Sequence, residues 1–368
     1  MFDAGPEAER DVDAGMIAAV TDGSNPPDDV PRAPAHAATP GTSSSKRGHS
    51  ARARGGAEGD RWRVLGTLSA LMGFASISTD LYLPAMPAMS RALNADAGLI
   101  ELTVSGYLVG FSLGQLLWGP ISDRHGRRLP VALGMVLFVI GSAGCALSFD
   151  AWTMIGWRMV QAVGASAGVV LGRAMVRDLY SGYRAAQMMS TLMTVMAIAP
   201  LAGPVVGGQI LAFAGWHAIF WTLVGVGLAT LVAVLLLPET LPAERRQPEP
   251  LSGALGRYGL LLRDRRLLAY AGAGGFFYAG MFAYIAGTPF AYISYHHVPA
   301  ELYGLLFALG IVGIMATNLA NARLVARFGS NRLLAAGTMV AAIAGVPLAA
   351  CAWPASLLAR CRFSLRFY

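Results

Sequence analysis

Val64 to Met89 reads VLGTLSALMGFASISTDLYLPAMPAM, and Asp80 is the only side chain in it that carries a charge at neutral pH. At about 1.5 Å of rise per residue, roughly 20 helical residues cross a bilayer core, so this stretch is long enough to span. An ionised Asp at membrane depth costs on the order of 2.5–3.5 kcal/mol on insertion scales. Side chains that expensive face a bundle interior or a water-filled cavity, where they handle ions, protons or substrate. The bland alternative places Asp80 at a hydrated interface, with Pro84 and Pro87 marking the end of the helix.

Composition sets the class. Hydrophobic residues make up 55% of the 368 residues and charged ones only 13%, with a mean hydropathy of +0.52. Soluble domains carry about 25% charged residues, so this is an all-α integral membrane protein. The net charge of +7 is almost entirely Arg, Lys46 being the one Lys. The arginines fall in short loops between apolar runs, which fits membrane topology and excludes a nucleic-acid-binding surface. Cys145, Cys351 and Cys361 have no metal-ligand or CxxC spacing.

Residues 1–60 are rich in Ala, Gly, Pro, Ser, Asp and Arg and are expected to be disordered. Beyond them, apolar runs of helical length predict spans at 64–87, 101–119, 129–148, 152–175, 187–212, 216–237, 267–292, 302–322 and 332–350, with a tenth starting at Trp353. A first bundle of six spans (61–237) is followed by a Pro- and Arg-rich linker (238–266) and a partial second bundle (267–368). Alternate loops carry nearly all of the arginines, which by the positive-inside rule puts those loops and the N-terminus in the cytoplasm. A faint repeat links Arg124-His125-Gly126 to Arg327-Phe328-Gly329, each after the second span of its half, as in transporters built from repeated bundles.

Three motifs stand on these spans. Gly119-Pro-Ile-Ser-Asp-Arg-His-Gly-Arg-Arg128 joins the second and third spans, with Gly119 and Gly126 available for a tight turn and Asp123 set among arginines. Arg158-Met-Val-Gln161-Ala-Val-Gly164-Ala-Ser lies in the fourth, where a cation can pair with a nearby carboxylate or reach back to the interface. Ala199-Pro200-Leu-Ala-Gly203-Pro204-Val-Val-Gly207-Gly208 lies in the fifth, where proline bends the helix and glycine lets a neighbour approach.

Together these motifs resemble the major facilitator superfamily. The first resembles its signature Gly-x-x-x-Asp-Arg-x-Gly-Arg-Arg, which implies that Gly119, Asp123, Arg124, Gly126, Arg127 and Arg128 form an inner gate. The second resembles a motif of proton-coupled members, with Ala162 in place of a glycine, and implies that Arg158 and Gln161 serve proton coupling. The third resembles the Gly-Pro-x-x-Gly-Gly motif of antiporting drug exporters, through Gly203, Pro204, Gly207 and Gly208. Ser78 to Pro87 and Leu237-Pro-Glu239-Thr-Leu-Pro242 are similar to the bicyclomycin-resistance (Bcr/CflA) branch.

The resemblance implies two helical bundles and a monomer in the bacterial inner membrane. It implies export of drugs or other small amphipathic compounds in exchange for protons, with Asp80 binding the proton or a cationic substrate. Tyr82, Tyr107, Met193, Phe277 and Tyr284 are candidates to line the cavity. Two other readings stay open: a proton-coupled metabolite symporter, or a truncated remnant that transports nothing. The chain counts about 9–10 of the superfamily's twelve spans, which leaves the second bundle incomplete, and Ala359 to Tyr368 reads like a shifted frame. No cofactor, metal or enzymatic motif is found, and His296-His297 has only Glu301 as a nearby carboxylate.

Overall fold

A computed structural model describes residues 47–246 and 251–364, and side chains over most of 63–347; the predicted tail through residue 46 lies outside the described residues. The described chain divides between Gly55 and Gly56, and apart from the start of the first helix everything below concerns the unit from Gly56 onward. Every described element is helical. Seven of the described helices are long and apolar enough to cross a membrane.

The first helix, α1, runs Arg47–Asp80 and so starts inside the segment expected to be disordered. Ala and Arg recur from Ala51 to Arg61, and both are strong helix formers. The predicted span 64–87 is not one helix. It stops at Asp80, passes through a 3₁₀ turn at Leu83–Ala85, and resumes as α2, Met86–Ala92. The cause is Pro84, which has no N–H for the Asp80 carbonyl and whose ring would collide with it.

Helix α3 is Ala97–His125, capped by the Asp96 carboxylate on the Leu99 N–H at 2.6 Å. It continues through Gly119 and Pro120, so most of the expected inter-span loop is helix, and Gly119 is not a turn residue. The turn is made at Gly126 alone, with φ of +87°. Helices α4 (Arg128–Ala146) and α5 (Ala151–Leu179) follow. Small residues set their spacing: a Cβ added to Gly164 of α5 would stand 2.3 Å from the Phe138 nitrogen of α4. Helix α6, Gly182–Leu236, holds the fifth and sixth spans, divided at Gly215 by a φ of +77°.

The linker contains an unforeseen helix, α7 (Leu251–Leu261). The second bundle consists of α8 (Arg265–Pro289) with a π-helical turn at Phe290–Tyr295, then α9 (Ala300–Phe328) and α10 (Ser330–Ser364). The expected break near residues 350–353 is absent, since α10 runs on through Pro354. The weak sequence repeat is in register: α3 and α9 are both 29 residues long. Each ends on a glycine of positive φ, Gly126 at +87° and Gly329 at +77°.

Core side chains come almost entirely from α1 to α6. In the second bundle, burial is confined to one end. It takes in Ile285, Ala286, Thr288 and Pro289 of α8 and Tyr303, Gly304 and Phe307 of α9. Those residues flank the Arg-poor loop 293–301, so the two bundles meet at the Arg-poor end of the molecule.

Candidate coupling site and latch

Asp80 sits where α1 breaks, and it is only 7% exposed. The helix end and the buried position therefore coincide, and the hydrated-interface alternative is not what the structure has. Its neighbours arrive on four other helices. A Cβ on Gly203 of α6 would stand 2.8 Å from the Asp80 Cβ, so glycine is required for this approach. Arg158 of α5, Tyr107 of α3 and Tyr303 of α9 all interact with its charge. Among the described residues, no direct hydrogen bond or ion pair engages the Asp80 carboxylate.

Arg158 is fully buried. Reaching back to the interface is excluded, since it lies about 10 Å inside its span and is roofed by aromatic rings. Its guanidinium carbon is 4.1 Å from the Tyr82 ring centre and 4.4 Å from that of Tyr107, an aromatic sandwich that offsets part of the cost of burying the charge. One terminal nitrogen donates to the Ser78 carbonyl at 3.0 Å and to Gln161 Oε1 at 2.6 Å. Gln161 passes the chain on to Ser142 at 2.7 Å. The Arg158 Nε and the other terminal nitrogen are buried with no hydrogen-bond partner. Guanidinium donors left open in a core are an anion-binding feature, because an unmet buried donor costs about 1–3 kcal/mol.

Two of the five cavity candidates belong to this cluster. The Tyr107 hydroxyl is 2.6 Å from Ser78 Oγ, and the Tyr82 hydroxyl is 3.0 Å from Thr103 Oγ1. The other three, Met193, Phe277 and Tyr284, are exposed, 40%, 62% and 58% accessible.

The Gly203–Gly208 segment works as a spacer with two faces. Gly203 and Gly207 look toward α1, where a Cβ on Gly207 would fall 1.8 Å from the Leu81 carbonyl oxygen. Pro204, Val205 and Gly208 look toward α9. A Cβ on Gly304 would be 2.7 Å from Val205 Cα, and one on Gly208 would be 2.7 Å from the Ala300 oxygen. Gly304 supplies the matching small residue from the second bundle, and sequence reading missed it.

At the opposite, Arg-rich end lies the segment expected to form the inner gate. Arg127 donates from Nε to Asp178 at 2.8 Å and from a terminal nitrogen to Asp123 and Ser122, both at 2.6 Å. These hydrogen bonds hold its already high pKa higher still, against its own desolvation. Gly126 clears the way for Glu239, which arrives from just beyond α6. Its carboxylate accepts the backbone N–H groups of Arg127 at 2.8 Å and Arg128 at 3.3 Å, at the N-terminus of α4. It also accepts those of Thr240 and Leu241, both at 3.0 Å. Burial works against the Glu239 charge, but the four N–H groups prevail and hold its carboxyl below the usual range. Arg128 also donates to the Leu235 carbonyl. Arg124 points outward, exposed, and Gly119 has open space around it, so these two predicted gate residues are outside the bonded cluster. Asp178 and Glu239 were not foreseen in this role. The signal for Glu239 was its place two residues past the sixth span.

Helix α7 rests against this end. Pro120 cannot bond the Leu116 carbonyl, and the Tyr258 hydroxyl donates to it instead at 3.2 Å. A cavity of about 300 Å³ opens beside the pair, lined by Asp123 and Arg257 among others.

Among the described residues, no group of His, Cys, Asp and Glu could hold a metal. Residues 68–365 match the model of the Major Facilitator Superfamily. The chain is 39% identical over 269 residues to an uncharacterised MFS-type transporter, YdgK, of Bacillus subtilis, covering 72% of this chain and 65% of the relative. It is 31% identical over 284 residues to a bicyclomycin resistance protein homolog of Haemophilus influenzae, covering 77% and 71%. With a chloramphenicol resistance protein of Pseudomonas aeruginosa it shares 35% over 303 residues, covering 79% and 69%. The chain thus spans about two thirds of the length of these relatives, which are transporters and resistance proteins rather than enzymes. Among solved structures, a D-xylose–proton symporter superposes with a TM-score of 0.54 at 18% identity, over 72% of this chain and 69% of that one, a likeness of fold. With its paired glycine-capped hairpins and these relatives, the chain is a multi-pass membrane protein that belongs to the major facilitator superfamily, on the branch of these resistance proteins.

Proposed function

We propose that this protein exports drugs or other small amphipathic compounds across the bacterial inner membrane in exchange for protons. It does so as a monomer, with the Arg-rich loops and the N-terminus in the cytoplasm. The observation that carries the reading is the seat of Asp80: a lone buried carboxyl in the break of α1, beside open guanidinium donors and against the glycine face of α6. A carboxyl so placed gains or loses a proton with a large change in local energy, because water is not there to absorb the charge. Antiport then needs only that proton and substrate occupy the site by turns. Arg158 and Gln161 hold the charge balance, Tyr82 and Tyr107 wall the cation in, and the Arg127 cluster fastens the cytoplasmic end. The resistance relatives support drug-like cargo.

The test uses the full chain in proteoliposomes with an imposed proton gradient and chloramphenicol as probe. Asp80→Asn should abolish gradient-driven efflux while the protein stays monodisperse. Wild-type efflux by that variant would sink the reading, and uptake along an inward proton gradient would replace it with symport.

A further inference from the structure

The junction between α7 and α8 reads Leu260-Leu-Leu-Arg-Asp-Arg-Arg266, and its charges are unbalanced. Asp264 is the one acid among three arginines. Its carboxylate is turned into the start of α8, where it accepts the N–H groups of Arg266 at 2.9 Å and Leu267 at 3.4 Å. Among the described residues, no hydrogen bond or ion pair engages the side chains of Arg263, Arg265 and Arg266, and all three are exposed. Arg265 and Arg266 also stand in the first turn of α8, the positive end of its dipole and the unfavourable end for cations.

Beside the arginines lie three leucines. Leu260 and Leu262 are 65% and 66% exposed, and Leu261 borders the cavity next to Asp123. They are not on a loose tether. The Arg263 N–H donates to the Leu260 carbonyl at 3.0 Å, the Asp264 N–H donates to the Leu261 carbonyl at 3.1 Å, and Tyr258 holds α7 to α3. The span that begins α8 at Arg265 is long and apolar enough to cross a membrane, which puts its first turn at headgroup level. Leu262 is three residues from Arg265, so it lies within about 11 Å of that level.

We infer that this junction is a docking surface for anionic phospholipid in the leaflet at the Arg-rich end. Leu260, Leu261 and Leu262 enter the acyl boundary, and Arg263, Arg265 and Arg266 take the lipid phosphates. Apolar side chains next to cations are the composition of a segment that lies in a membrane interface. The charge balance selects the headgroup. Three guanidinium groups against one carboxylate, already spent as a helix cap, favour a headgroup of net negative charge and repel the ammonium of a zwitterionic one. Helix α7 is thereby fastened at two points, by Tyr258 to α3 and by its last residues to the leaflet. The seat depends neither on Asp80 nor on the direction of transport.

The test uses the full chain in phosphatidylcholine nanodiscs, with Cys145, Cys351 and Cys361 replaced by alanine and a bimane fluorophore on Leu262→Cys. A minor fraction of the lipid carries a nitroxide quencher near the headgroup end of its acyl chain, on either phosphatidylglycerol or phosphatidylcholine. At low salt, phosphatidylglycerol should quench at least about fivefold more strongly than phosphatidylcholine, the scale of one arginine at an anionic surface. Molar salt should cut that preference to less than about twofold by screening. The triple variant Arg263→Gln, Arg265→Gln, Arg266→Gln should do the same while quenching by phosphatidylcholine persists. The salt arm tests the same charges in the parent chain, whatever the folding of the triple variant. Inorganic phosphate at matched ionic strength should leave the preference unchanged; its loss would assign the arginines to a free anion and overturn the lipid seat. Equal quenching by the two lipids in the parent overturns it, as does a preference that survives the triple substitution. Quenching by acrylamide from water but by neither lipid also overturns it, and gives the leucines to a soluble protein partner.

Discussion

Replacing Gly207 with alanine is the sharpest probe of the packing that holds Asp80. The added Cβ would lie 1.8 Å from the Leu81 carbonyl oxygen, whereas a carbon–oxygen contact settles at about 3.3 Å or more. Helix α6 and the broken end of α1 must then part by about 1.5 Å, the difference between those two distances. The colliding atom is backbone, so no rotamer change can relieve it, and overpacking of this kind costs about 1–3 kcal/mol. Gly225, later in the same helix, has nothing within 4 Å of its would-be Cβ. There alanine should be neutral or raise stability by about 0.5–1 kcal/mol through helix propensity. The assay is thermal unfolding of the purified full chain in one detergent at one heating rate, followed by tryptophan fluorescence. Gly207→Ala should lower the midpoint by at least ~3 °C relative to Gly225→Ala. Equal midpoints would refute the argument that α1 and α6 touch through this glycine.

Three further outcomes are expected. Glu239→Gln should destabilise by about 1 kcal/mol or less at neutral pH, a typical helix-cap loss at an exposed site. Because the folded carboxyl titrates below its usual value of 4.5, its contribution is complete above that pH and fades as pH falls through the folded value. Midpoints of wild type and variant should therefore converge in acid and differ from pH 6 upward. Asp178→Asn should weaken the Arg127 cluster and lower the midpoint, and a double-mutant cycle with Asp123→Asn should be non-additive because both carboxylates share one guanidinium. Tyr258→Phe leaves the Leu116 carbonyl without its donor, so hydrogen exchange should quicken in α3 around Leu116–Asp123. The local cost is about 0.5–1.5 kcal/mol, and no change in exchange would remove the α7 contact from the account.

Fold class was legible because apolar runs of fixed length have few alternatives in a bilayer. The hairpin repeat was legible because Gly126 and Gly329 must each adopt a positive φ. Helix ends were legible only where a proline or glycine rule applies locally. Pro84 breaks the first span through the Asp80 carbonyl, a rule readable from the sequence, yet hydropathy alone draws a single span across it. Pro120 failed to end α3, because Tyr258, 142 positions away, satisfies the carbonyl it frees. The placements of Asp178, Glu239 and Gly304 depend on which helices meet, and pairing between distant helices leaves no trace in local spacing. The exposed positions of Phe277 and Tyr284 were hidden for the same reason.

The two-faced glycine segment of α6 also bears on how fast the molecule can move. Interlocked side chains must change rotamer, one after another, before two helices can separate, and each hop adds to the barrier. Where Gly207, Gly208 and Gly304 meet their neighbours, the nearest surfaces are backbone atoms, with no side-chain torsions to unlock. Such a joint behaves as a plain bearing. It holds tightly while its polar groups are matched, and it parts at a rate governed by those groups rather than by the repacking of a core.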